Sequence, residues 1–151
     1  MTDAIEQVIL QESLPGLRAG QRLDEVLALL GPPDDRSLGR RPMVIRYGSL
    51  ELAFDRGSQL VFAGVYFREG KLNLPQRIID HAIWPSEPLT EQALLRQFAD
   101  MGVPLNVEVR TEASLILRVG RLARFVLGRN DEGEPFSLES IQFHFVVDQP
   151  T

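Results

Sequence analysis

Met43-Val44-Ile45-Arg46-Tyr47-Gly48-Ser49-Leu50-Glu51-Leu52-Ala53-Phe54 is the stretch that decides the fold. Two apolar runs flank Gly48-Ser49, a two-residue link with glycine first. That is the chemistry of a type II′ hairpin turn. The second run alternates, with Leu50, Leu52 and Phe54 on one face and Glu51 and Ala53 on the other. Side chains of a strand point to opposite faces in turn, so the hairpin has one buried face and one polar face.

Upstream, Leu23, Val26, Leu27 and Leu30 follow the i, i+3, i+4, i+7 spacing of an amphipathic helix. Gly31-Pro32-Pro33 ends it, because glycine takes the cap conformation and proline forbids continuation. Asp34 to Arg41 is polar and reads as a loop. Downstream, Asp55-Arg56-Gly57-Ser58 makes a turn into Leu60 to Phe67. That run is apolar on both faces, which predicts a central strand or one covered on both sides.

The same order recurs in the second half. Thr90 can cap a helix carrying Leu94, Phe98 and Met101, with Gly102 and Pro104 after it. Leu115 to Val119, a Gly120-Arg121 turn and Leu122 to Leu127 form a second hairpin. After Asn130 to Glu134, Ile141, Phe143, Phe145 and Val147 alternate with polar residues in a last strand. Laid over each other, the halves set Leu30-Gly31-Pro32-Pro33 on Met101-Gly102-Val103-Pro104 and Val65-Tyr66-Phe67 on Phe143-His144-Phe145. They also set Leu52 on Arg124, where the alternation breaks through a bulge or a changed face. The expected fold class is therefore α+β. It consists of two tandem units, residues 1–75 and 76–151, each a helix plus an antiparallel hairpin or three strands. The helices pack on one face of the sheet and the units share one core. Residues 72–89 between the units are too apolar for a free linker, so a short helix or strand is expected there.

A glycine, an amphipathic helix ending in Leu29-Leu30-Gly31-Pro32-Pro33, a loop, and then Leu50-Glu51-Leu52-Ala53-Phe54 resembles the SmpA/OmlA (BamE-like) family. The unit is also similar to the tandem α+β repeats of the β-lactamase inhibitor protein family, and to small bacterial immunity-like proteins. The match covers about a quarter of the chain. The resemblance implies a non-enzymatic binding scaffold with a sheet against helices. The lipoprotein signal and lipidation cysteine of BamE are missing, so an outer-membrane role is not carried over.

Composition narrows the chemistry. The chain has 151 residues and no cysteine, which rules out disulfides, cysteine-based zinc sites and cysteine nucleophiles. Net charge is −5 and neither half is basic, so no footprint for a nucleic acid is present. No run approaches the ~20 apolar residues of a membrane span, and no secretory signal is seen, so the expected location is cytoplasmic. Of 16 Lys and Arg residues only Lys71 is lysine, which fits either a GC-rich coding bias or a use of planar, bidentate guanidinium contacts.

Candidate catalytic groups are sparse. Asp80-His81 is an acid/base pair only if two adjacent side chains converge, which is unusual. Asp34-Asp35 and Asn130 to Glu134 lack calcium-loop spacing and read as solvated turns. No nucleophile elbow or phosphate loop occurs. No catalytic residue, metal or cofactor is expected. The candidate binding residues are Arg46, Glu51 and Tyr66 on the polar hairpin face of the first unit, and Arg118, Arg124, Gln142 and His144 in the second. Arg, Tyr and His on a rigid sheet are the types that anchor protein interfaces. Trp84 joins them as a hot-spot type, though it also suits a plug between subdomains. The expected partner is a protein, with a basic toxin or effector favoured by the acidic net charge. A homodimer and a pocket holding a small molecule near Glu51, Asp80 and His81 are the alternatives.

Overall fold

Apolar residues at every second position of the paired strands meet on one face of a single sheet. In the computed structural model, described over residues 3–14, 16–37, 43–67, 72–80, 82–87 and 89–145, eight strands form one antiparallel sheet. They are β1 (Asp35–Arg36), β2 (Met43–Tyr47), β3 (Leu50–Phe54), β4 (Leu60–Tyr66), β5 (Leu105–Arg110), β6 (Ser114–Val119), β7 (Ala123–Gly128) and β8 (Ser137–His144). The order across the sheet is β1-β2-β3-β4-β8-β7-β6-β5, so β4 and β8 meet in the middle. The apolar run of β4 is thus central, as its two-sided hydrophobicity predicts.

The Gly48-Ser49 hairpin forms with Tyr47 opposite Leu50 and a positive φ at Gly48 alone of its two central residues. The second hairpin differs from expectation. Val119 pairs with Ala123, so its turn holds three residues, Gly120, Arg121 and Leu122. That extra residue restores the alternation: Ala123, Phe125 and Leu127 are buried, while Arg124 and Val126 are half-exposed on the other face. Phe125, not Arg124, is thus the inward residue of this strand, and no alternation is lost. The insertion sits in the turn, where an added residue leaves the ladder intact. β5 and β1, in segments read as loop or left without structure, are the two edges of the sheet.

The inward face is covered by helices. α1 (Ala4–Gln11), unanticipated, is capped by Asp3, which accepts from the Glu6 N–H at 3.1 Å, and buries Ile5, Val8 and Ile9. It bonds into the second half: Ala4 N–H donates to the Ile83 carbonyl (2.8 Å), and Gln97 Nε2 donates to Asp3 Oδ1 (3.0 Å). α2 (Leu23–Leu30) stops at Gly31, whose N–H caps the Leu27 carbonyl. α3 (Gln76–Ile79) is a single turn in the apolar connecting segment. α4 (Glu91–Met101) has the expected Thr90 cap and a left-handed Gly102. Its Phe98 stands edge-on to Phe125 of β7, ring centroids 5.1 Å apart. Helix and inward strand residues from both halves form one apolar cluster.

Among the described residues, no helix is long and apolar enough to cross a membrane.

Candidate site on the outward sheet face

Register places Asp35, Arg46, Glu51, Gly64, Gln142, Arg124, Arg118 and Asn106 side by side in one row across all eight strands. Five of the eight expected binding residues lie in this row. Tyr66 and His144 flank it, two positions along β4 and β8 from Gly64 and Gln142. The row is on the face away from the helices, because its neighbours along β2, β3, β4, β6, β7 and β8 are buried in the core.

Gly64 gives the row a low centre. A Cβ there would stand 2.9 Å from Tyr66 Cε2 and 3.0 Å from Phe62 Cζ, so the two rings close over the glycine. Phe62 in turn meets the His144 imidazole edge-on, centroids 4.9 Å apart. Gln142 is fixed by its amide donating to Ser140 Oγ at 3.2 Å.

The two ends of the row differ in charge. On the β2–β3 side Arg46 Nε lies 3.3 Å from Glu51 Oε2, an internally neutral pair. On the β6–β7 side Arg118 stands directly opposite Arg124. Like charges at that cross-strand spacing repel. Glu108, the extra residue at a bulge in β5, takes Arg124 Nε at 2.9 Å and lies 3.8 Å from Arg118 Nη1. Arg118 Nη2 also donates to the Arg121 carbonyl at 3.2 Å. Arg118, Arg121, Leu122, Ala123, Arg124 and His144 line a shallow pocket of ≈ 210 Å³. Burial, with Arg124 adding to it, holds the His144 pKa below the usual imidazole value. Such exposed ion pairs contribute little stability, so their effect is to hold the guanidinium groups in place.

Trp84 is not part of this face. Its indole donates to the Ile78 carbonyl at 3.2 Å and its half-buried ring packs against the core. Glu51 and Asp80 are not brought together either. Glu51 pairs with Arg46, whereas Asp80 caps α3 and accepts from Gln76 Nε2 at 2.6 Å. His81 lies outside the described residues. A second concavity of ≈ 310 Å³ lies at the end of α2, lined by Asp34, Tyr47, Asn73 and Gln76 among others. Its Tyr47 hydroxyl donates to the Gly31 carbonyl at 2.7 Å. Burial raises the Tyr47 pKa, Arg36 offsets part of this and Asp34 adds to it. Among the described residues no group of three or more His, Asp or Glu side chains could hold a metal ion.

Three contributors escaped the sequence reading: Phe62, Glu108 and Arg121. Leu105-Asn106-Val107-Glu108-Val109-Arg110 alternates with period two, which was the available signal for β5 and its Glu108. Arg118, Arg121 and Arg124 recur at three-residue spacing across a glycine turn, a pattern that a hairpin can gather on one face.

No protein family, curated protein or solved structure matches this chain.

Proposed function

We propose that the protein is a non-enzymatic protein-binding module of the bacterial immunity or inhibitor kind, acting in the cytoplasm, whose contact surface is the outward sheet face. The observation that carries this is the single row holding Arg46, Glu51, Gln142, Arg124 and Arg118, flanked by Phe62, Tyr66 and His144. Aromatic side chains on a paired, rigid sheet supply contact area at low ordering cost, and arginine is enriched among the residues that carry interface energy.

The face is built, in our reading, by duplication of one unit, residues 1–75 and 76–151. Register supports it. Leu50 faces Val65, Leu52 faces Ala63 and Phe54 faces Leu60; Ala123 faces Phe143, Phe125 faces Ile141 and Leu127 faces Leu138. Each unit also has a bridge from the residue before its helix to the start of its last strand, Arg22 to Gln59 and Thr90 to Ser137. Register also shifts at the matching place in each, between Ala53 and Phe54 and between Val126 and Leu127, and such shared shifts and bridges are hard to obtain from unrelated sequences.

The test is co-expression with the products of the two flanking genes, followed by size-exclusion chromatography. A stable complex is expected with one of them, and for an immunity protein rescue of growth from its toxicity. Two flanking proteins that neither bind nor lose toxicity would overturn the proposal.

A second reading, a homodimer, is favoured by β5. This edge strand exposes Val107 (50%) and Val109 (39%), and unpaired edges invite strand addition. Sedimentation equilibrium at high concentration decides it, and Val109→Lys should abolish any dimer that forms through this edge.

A further inference from the structure

We propose that the pocket at the β6–β7 hairpin, lined by Arg118, Arg121, Arg124 and His144, is an oxyanion subsite that takes a carboxylate side chain from an acidic segment of the partner. This rests on the reading of the outward face as the contact surface and names the partner chemistry at one end of it.

The charge count within the pocket points to an anion. Of the three guanidinium groups lining the pocket, two share one carboxylate, Glu108, which holds Arg124 closely and Arg118 only at 3.8 Å, while the other carboxylate at this hairpin, Glu12, is engaged by the Arg121 backbone N–H at 2.7 Å. Among the described residues the Arg121 guanidinium has no ion-pair partner. Arg118 and Arg124 are opposite one another in the ladder, an arrangement that disfavours the empty site and is relieved by a docked carboxylate. Planar guanidiniums offer paired donors matched to the two oxygens of a carboxylate.

The corresponding place in the other four strands shows why the subsite is single. There Arg46 faces Glu51 and neutralises it. Exchanging a glutamate for Arg124 at that row position converts a closed pair into an open cationic site. His144 stands where the other half has Tyr66, and its neutral ring adds one N–H donor beside Arg124.

The overall charge of −5 does not oppose this. Exposed charges are screened beyond about 8 Å at physiological ionic strength, so a docked carboxylate responds to the nearest groups. The floor of Leu122 and Ala123 strengthens those interactions by excluding water from one side.

The experiment is an NMR titration of the full chain with a hexaglutamate peptide, reading the arginine Nε–Hε and His144 ring signals. Hexaglutamine and inorganic phosphate are run in parallel. Saturable shifts at Arg118, Arg121 and Arg124 are expected with hexaglutamate and not with hexaglutamine. Arg124→Glu should weaken binding about tenfold or more, while Arg56→Glu, the same charge change in an exposed turn, should change it by less than about twofold. Arg124→Gln, which removes the charge without reversing it and keeps a polar side chain, should also weaken binding and guards against a folding failure. No saturable shift, equal losses in Arg124→Glu and Arg56→Glu, or saturation by phosphate alone would each overturn the proposal. A flanking-gene partner that still binds in any of those cases leaves the wider function standing, so the two failures are distinguishable.

Discussion

Gly64 and Gln142 face each other where β4 meets β8, and the pairs on either side mirror one another: Phe62 opposite His144, and Tyr66 opposite Ser140. Phe62 and Ser140, like Tyr66 and His144, are related by the same displacement along the chain that relates Gly64 to Gln142. Gly64 is therefore the centre of the outward face, and its missing side chain is what lets the two rings close. In Gly64→Ala the Phe62 and Tyr66 rings must swing away. Their aromatic proton shifts should change, together with those of His144. Stability should move by no more than about 1 kcal/mol, because the displaced atoms are ring ends facing outward. Unchanged ring shifts would show that the rings do not cover the glycine.

Phe98 and Phe125 join α4 to β7 and are fully buried. Phe98→Ala and Phe125→Ala should each cost about 3 to 5 kcal/mol in urea unfolding. The double mutant should fall short of their sum by roughly 0.5 to 1.5 kcal/mol, the coupling of an edge-on pair. Strict additivity would place the rings out of contact.

Tyr47 fastens the end of α2 to β2 through the Gly31 carbonyl. Tyr47→Phe removes one part-buried hydrogen bond and should destabilise by about 1 kcal/mol. The same burial keeps its phenol protonated. In an absorbance titration, the signal lost in Tyr47→Phe should be one that ionises above the ordinary tyrosine value of about 10.

His144 should titrate below about 6.5, the free imidazole value. Removing one cause, in Arg124→Gln, should raise that pKa, with burial still holding it down. The sign for stability follows. The unfolded chain takes up this proton first as pH falls, so the contribution is intact above about 6.5 and is lost as pH drops through the folded pKa. His144→Gln should flatten that part of the pH profile, and urea midpoints on either side of the window measure it.

The first hairpin, both helix caps and the central place of β4 could be read from Gly48-Ser49, Gly31-Pro32-Pro33, Thr90 and the two-sided apolar run, because each acts through local chemistry. The second hairpin was misplaced by one residue, since Gly120-Arg121-Leu122 admits either a two- or a three-residue turn until Phe125 is seen packing on Phe98. α1 was missed because its docking on Ile83 and Gln97 is non-local. For the site, polarity alone put Arg46, Glu51, Arg118 and Gln142 on one face. Their joining into a single row depends on β4 pairing with β8, which no residue spacing announces.

The most direct measurement compares affinity for the flanking-gene product across two double charge reversals. Arg118→Glu/Arg124→Glu lies on the outward face; Arg77→Glu/Arg96→Glu makes the same change on exposed residues of α3 and α4. With the contact surface on the sheet, the first weakens binding about a hundredfold, or about 2.7 kcal/mol, and the second less than about threefold. A complex lost only in the α3–α4 variant would contradict the account.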